Sequence, residues 1–352
     1  MEKDKPTLMN RKGNMMGWRM MVRIKPYEAG GAWLRVFLLG VLLAGGCQAI
    51  SRMSRHSSAG RAELQQAQLY KQQGKLDSAL AAFGLALEEN PKLLEAHMGM
   101  GEIYHERGQY ELASSAYERA TKIEPNNFDA QYYLGLMQQL LGRLEKAVST
   151  YLRALTINPD HYDANAHLAS AYLQLAQPES ALPYAKRATQ LKPEEQTAWA
   201  NLADTYSMLG DYRQAIDAYR QASELGDAAE PILLGLADAH IRLGNYPEAE
   251  NVLKSILGTQ PSATAYERMG YVRFKQRQFL DALNQFNQAL TIDPNDTTSL
   301  NGVGVAKMTL FLKGGRTDRP LREQALEAWR KSLRIKPQQP RIIDLLSRYQ
   351  HM

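Results

Sequence analysis

The chain has 352 residues, with 42 Lys and Arg against 37 Asp and Glu for a formal net charge of +5, and a single cysteine. One cysteine excludes an internal disulfide, and the excess charge is local, because residues 1–46 hold eight Lys/Arg and three Asp/Glu and leave the remainder close to neutral. A neutral body argues against the basic stripe that a phosphate-neutralising nucleic-acid binder needs.

Residues 1–46 read as a secretory leader. Arg23, Lys25 and Arg35 precede the apolar run Val36 to Ala44, which gives way to Gly45, Gly46 and Cys47. A positive start, a short apolar stretch and small residues before a cleavage point are the marks of export. The run is shorter than the ~20 apolar residues of a membrane span, although continuing it to Ile50 keeps an uncleaved anchor open. Leu43, Ala44, Gly45, Gly46 and Cys47 together resemble a bacterial lipoprotein signal, with Ala44 where that family usually has leucine. The resemblance implies that Cys47 is the lipid-attachment residue of an exported, membrane-associated protein. Gln48 in place of aspartate after it implies the periplasmic face of the outer membrane. An uncleaved anchor and a soluble product of ordinary cleavage stay open beside the lipid. Initiation at Met20 or Met21 would give a leader of ordinary length, so translation is expected to begin there rather than at Met1. Residues 47–59 are expected to form a flexible linker.

From Gly60 the chain repeats every 34 residues: Ala79, Ala113, Ala147, Ala181, Ala215 and Ala249 fall on one comb, and Pro91, Pro125, Pro159 and Pro193 on another. A fixed period of this size marks a supersecondary unit that buries its apolar face only by stacking on its neighbours. Ala67, Gly101, Gly135, Ala169, Ala203, Ala237, Gly270 and Gly304 set a small residue in a first helix. Gly74, Gly108, Gly142, Gly210 and Gly244 mark a left-handed turn. A second helix follows with a small residue, then a bulky one four later: Phe83, Tyr117, Tyr151, Tyr219, Phe286 and Trp329. Proline ends it, because proline lacks an N–H and pushes the preceding residue out of helical geometry.

This pattern resembles the tetratricopeptide repeat over residues 60–339. The fold expected is all-α, a right-handed superhelical solenoid of eight helix-turn-helix repeats (60–93, 94–127, 128–161, 162–195, 196–229, 230–262, 263–296 and 297–339) with a capping helix in 340–352. Departures are local: Asp227 stands for proline in repeat five, Ala185 for the bulky residue in repeat four and Arg277 for the turn glycine in repeat seven. The eighth repeat carries a nine-residue insertion around Lys313 to Pro320, expected to be a surface loop. Ile342, Leu345, Leu346 and Tyr349 share one face of the last helix, with Asp344, Ser347 and Arg348 opposite, the pattern of a solvating cap.

The resemblance further implies that first helices line a concave groove. That places Glu95, Met98, Glu102, His105 and Glu106 beside Asp129, Tyr132, Tyr133, Leu136 and Leu140, continued by Asp163, His167, Asn201, Asp204 and Asp238. The lining is acidic and aromatic, turning basic at Arg268 and Lys275, and suits a neutral or basic extended segment of another protein. Tyr132 and Tyr133 are candidate anchors for it, although tyrosines at helical spacing also serve as packing and charges as a solvated face. The family's clamp for chaperone-tail carboxylates is missing, since Leu64, Gln68, Gly99, Asp129 and Tyr133 occupy its places and none is cationic.

No catalytic residue, metal site or cofactor is expected. Gly99-Met100-Gly101 and Gly302-Val303-Gly304 coincide with the small-residue position and follow no strand, and the seven histidines lack metal-ligand spacing. The reading is a non-enzymatic interaction scaffold or adaptor of the bacterial cell envelope, held at a membrane by an N-terminal lipid or anchor, with no nucleic-acid partner. A self-assembling structural repeat protein and an RNA-binding helical-repeat protein are the other classes in view.

Overall fold

Glycine and proline punctuate the chain, and helices fill the intervals. The structure is a computed structural model that describes residues 60–227 and 229–352; the leader, Cys47 and the linker lie outside the described residues. Seventeen helices follow one another among those residues. They are α1 (Arg61–Gln72), α2 (Leu76–Glu89), α3 (Leu94–Glu106), α4 (Tyr110–Ile123), α5 (Phe128–Leu140), α6 (Leu144–Ile157), α7 (Tyr162–Gln174), α8 (Pro178–Leu191) and α9 (Gln196–Leu209). They continue with α10 (Tyr212–Glu224), α11 (Glu230–Leu243), α12 (Tyr246–Thr259), α13 (Ala263–Lys275), α14 (Phe279–Ile292), α15 (Thr297–Lys313), α16 (Arg319–Ile335) and α17 (Pro340–Tyr349). Successive helices pair across tight turns, and the pairs stack into a right-handed solenoid in which neighbouring first helices also touch, such as α7 with α9 and α13 with α15. Among the described residues no helix is long and apolar enough to cross a membrane.

In the first seven pairs each turn closes through one left-handed residue. Gly74, Gly108, Gly142, Gly210 and Gly244 take φ between 69° and 80°, and the amide after the first of them, Lys75 N–H, donates to the Tyr70 carbonyl at 2.9 Å. Ala176 and Arg277 hold the same conformation at φ 55° and 65° despite their side chains, a conformation in which Cβ crowds the following carbonyl.

The junctions between pairs use a device that the periodicity does not announce. The carbonyl of the terminal proline accepts a bond from the fourth residue of the next first helix. His97 Nε2 lies 3.0 Å from the Pro91 oxygen, Gln131 Nε2 2.9 Å from Pro125, Asn165 Nδ2 2.9 Å from Pro159 and Trp199 Nε1 2.8 Å from Pro193. Four different side chains do one job, each worth about 1 kcal/mol net and more if the carbonyl were left buried and bare.

The core is a row of rings set against small residues. Phe83, Tyr117, Tyr151, Tyr219, Phe286 and Trp329 are almost wholly buried, each burial worth roughly 1.5–3 kcal/mol. A Cβ added at Gly101 would lie 2.7 Å from Tyr117, and one at Gly304 would lie 2.4 Å from Cδ1 of Trp329. Repeat four has Ala185 where the others have a bulky side chain, and Trp199 and Leu202 of the next pair close over that cluster.

The ends are finished differently. Gln66 stands where later pairs bury Leu134, Leu168, Leu202, Leu236, Met269 and Val303, so the first helix turns a polar face outward. At the other end α17 buries Ile342 and lays Leu345, Leu346 and Tyr349 on Met308, Phe311, Leu326 and Trp329.

The surface loop expected over Lys313 to Pro320 is present and exposed, but shorter than the nine-residue insertion. Both flanking helices run to 17 residues and absorb most of it, leaving only residues 314–318 as a turn. Asp318 caps the second of these helices, accepting from Leu321 N–H at 2.9 Å, and Pro320 sits in its first turn, where its missing N–H costs nothing.

Two outcomes follow from this geometry. Arg277→Gly should stabilise the fold by about 0.5–1 kcal/mol, because glycine takes the left-handed turn without the Cβ penalty, and a thermal melt checks it. Burial holds His97 below its ordinary 6.5, with the Pro91 carbonyl opposing and Arg119 adding to the shift. The unfolded chain therefore binds more protons between that lowered value and 6.5, and stability drops as pH falls through this window. His97→Gln, which copies Gln131, should keep the carbonyl bond and lose less stability between pH 7.5 and 5.5 in urea titrations than the parent.

Candidate functional site

The concave face is built from first helices, but its floor is set by the second. Each second-helix ring reaches the residue sixteen positions on, in the next first helix. Tyr117 stacks on Tyr133 with centroids 5.5 Å apart, and Tyr151 stacks on His167 at 6.1 Å. At three junctions that residue is glycine, and an added Cβ would lie 2.3 Å from Phe83 at Gly99, 2.4 Å from Tyr219 at Gly235 and 2.6 Å from Phe286 at Gly302. Where the partner is an aromatic or histidine the floor is covered; at Gly235 and Gly302 the ring itself lines a cavity.

In the N-terminal half the expected groove residues come together largely as packing. Tyr132 stacks on Phe128 at 5.9 Å, meets Tyr133 edge-on at 5.1 Å and lies 6.0 Å from His167. Met98, Tyr133 and Leu136 pack around Tyr117, and His105 leans on Tyr110. Both candidate anchor rings are thus half-buried and hold the wall as well as facing the groove. Burial pushes the Tyr132 phenol up, with Asp163 adding to it, and pushes His167 down against the pull of Asp163. Glu102 is paired with Lys71.

The C-terminal half is more open. A cavity of about 800 Å³ spans repeats five to eight, with Tyr219, Asp238, Arg242, Tyr246, Arg268 and Tyr271 in its walls. Tyr219 and Tyr246 come from second helices, which the assignment of the groove to first helices alone missed; Gly235 is the sequence signal that would have found Tyr219. The Tyr219 hydroxyl donates to Asp204 Oδ1 at 2.5 Å. Asp204 is open to solvent along the groove yet walled by protein, and the loss of bulk water raises its carboxyl while the tyrosine bond opposes. Asn201 lies one turn ahead of Asp204 on the same helix.

The expected turn to basic character at Arg268 needs correction. Its guanidinium binds Asp238 through Nε at 2.7 Å and also binds Glu267. Glu267 is 7 % exposed, and its desolvation raises the carboxyl, with Arg268 opposing. Arg268 is therefore a neutralised bridge between two acids rather than a free cation. Lys275 stays exposed, its Nζ 5.3 Å from the Tyr271 ring centre. Among the described residues Glu95, Glu106, Asp129, Asp163 and Asp204 enter no ion pair, so the lining keeps an acidic excess. Among the same residues no group of three or more His, Cys, Asp or Glu is set to hold a metal ion.

Sequence profiles of repeat families match residues 64–93, 140–203 and 208–269, described as tetratricopeptide repeat, and residues 101–142, described as TPR repeat. Together these stretches cover more than half of the chain. The chain belongs to the tetratricopeptide-repeat family. Among solved structures it is similar to a tetratricopeptide repeat protein from Parabacteroides merdae, with 18% identity over 71% of this chain and 99% of that one and a TM-score of 0.50. It is also similar to a chain of the APC/C hetero-tetramer Cut9-Hcn1, with 17% identity over 86% of this chain and 58% of that one and a TM-score of 0.52. At such identities the likeness shows the fold. No match was found among curated proteins. Tetratricopeptide-repeat arrays are in general protein-interaction scaffolds, and this array is one of them.

Removing Arg268 while leaving Glu267 in place strands a buried acid. Arg268→Met should cost on the order of 1–3 kcal/mol at pH 7.5. The loss should shrink at pH 5, as Glu267, whose folded value is already raised, takes up a proton; denaturant midpoints at the two pH values read it.

Proposed function

We propose that the groove over repeats five to eight holds an extended, neutral or basic segment of another envelope protein, in a chain anchored through Cys47 at the periplasmic face of the outer membrane. The observation that carries the groove reading is the cavity around Tyr219, Tyr246 and Tyr271. It offers large rigid rings, which give contact area at little entropic cost, over a lining whose own charges balance, Asp238 and Glu267 against Arg242 and Arg268. The acidic excess that would steer a basic chain lies on the same face nearer the N-terminus, at Glu95, Glu106, Asp129, Asp163 and Asp204. The aromatic wall around Tyr132 and Tyr133 continues the same face toward the N-terminus. The lipid reading rests on Leu43 to Cys47 in the sequence. Its merit is that it gives the sole cysteine a use in an exported protein.

A photo-crosslinking residue in place of Tyr271, in the groove, should trap a partner in living cells, whereas one in place of Leu112, exposed on a second helix, should not. Asp163→Lys with Asp204→Lys should reduce the trapped fraction several-fold at low salt and less at high salt. Equal trapping at both positions would remove the groove reading. Mass spectrometry of the mature N-terminus should find an acylated Cys47, and a chain beginning elsewhere without lipid would remove the anchor.

A further inference from the structure

The C-terminal end of the groove has its own chemistry. A cavity of about 470 Å³ lies between α13, α15 and α17, lined chiefly by Tyr271, Phe274, Phe286, Val305, Ile342 and Leu345. Gly302 opens its floor onto the Phe286 ring, and α17, the last helix, closes its far side. Most of the polar groups in its wall are already occupied by other protein groups. Asn301 Nδ2 donates to Gln339 Oε1 at 2.7 Å, and Gln339 Nε2 donates to the Lys336 carbonyl at 2.7 Å and the Ser332 carbonyl at 3.1 Å. Glu267 is held by Arg268, and Asn301 Oδ1 is a buried acceptor without a partner.

A peptide backbone brings repeated N–H and C=O groups that need repeated partners, and this wall has few to give. An apolar chain needs none. Lys275 and Arg341 stand exposed in the lining, and among the described residues neither enters an ion pair. The volume falls within the roughly 300–1,000 Å³ of small-molecule sites, which are mostly apolar with a few placed polar groups.

We propose that this cavity binds a small anionic amphiphile of the medium-chain fatty-acid class, its tail against Phe274, Phe286 and Ile342 and its carboxylate between Lys275 and Arg341. The two cavities share Glu267, Tyr271 and Thr298, but Phe274, Phe286, Ile342, Lys275 and Arg341 line only this one, and the site stands whether or not the groove holds a protein segment. It joins an apolar pocket to two exposed cations, Lys275 and Arg341, that no carboxylate among the described residues pairs with.

Isothermal titration of the full-length protein with dodecanoate, with dodecanol and with the free-acid peptide Gly-Ser-Gly-Ser-Gly-Phe tests it. Dodecanoate should bind saturably at one site, and Lys275→Glu with Arg341→Glu should weaken it about tenfold while dodecanol is unaffected. Val305→Trp should fill the cavity and abolish both; Leu345→Trp, entering from the opposite wall, does the same if the first variant fails to fold by circular dichroism. Absence of saturable dodecanoate binding, an unchanged affinity in the charge-reversed variant, or tighter binding of the peptide than of dodecanoate would each overturn the proposal.

Discussion

The structure depends on one contact repeated along its length: a ring on the second helix of a pair pressed against a small residue on the first. Tyr117 against Gly101, Tyr151 against Gly135 and Trp329 against Gly304 leave no room for even a methyl group. The helices of a pair therefore approach where the first carries glycine or, as at Ala67 and Ala203, no more than a methyl group. That contact sets the distance between helices, and the distance sets how the pairs stack. Because each ring also touches the next pair, the same side chain fixes both the unit and the junction. Local packing and long-range order are thus one interaction, as expected of a solenoid in which each repeat meets only its neighbours.

The groove inherits its character from this contact. At the junctions after Tyr117 and Tyr151 the far partner is Tyr133 or His167, and the floor is sealed by stacked rings. At the junctions after Tyr219 and Phe286 it is glycine, and the floor is the ring itself with a cavity above it. Gly99, after Phe83, has the same glycine but lines neither of these cavities, so glycine at this position permits a pocket and the neighbouring side chains decide whether one forms. Charge is then distributed over that relief. Lys71 meets Glu102 and Arg268 meets Asp238 across adjacent first helices, so part of the groove's charge holds the stack in register. The remainder faces solvent and is available to a partner.

The comb of alanines and prolines placed helices α3, α5, α7, α9 and α11 at the residues where they begin, Leu94, Phe128, Tyr162, Gln196 and Glu230. It did so because helical starts and stops are local chemistry. Gly99 and Gly302 were legible as packing for the same reason. Arg268 was misread as a free cation because its partners, Asp238 and Glu267, come from different helices or from a buried face that spacing alone does not reveal. The proline-carbonyl device escaped notice because His97, Gln131, Asn165 and Trp199 share a geometry and no residue type. The insertion at Lys313 to Pro320 is a surface loop as expected, but a short one, because Asp318 and Pro320 are good helix-starting residues and the flanking helices extend into the added length.

The central claim is that the first-helix face, opened where glycine replaces a ring's cover, is where this scaffold meets its partner. Hydrogen–deuterium exchange of the full-length protein, alone and with the partner trapped from position 271, tests it most directly. The account predicts that exchange slows most in α9, α11, α13 and α15 and less in α10 and α12, which reach the cavity only through Tyr212, Tyr219 and Tyr246. Protection confined to those second helices, or to α1 and α2 at the N-terminal end, would contradict it.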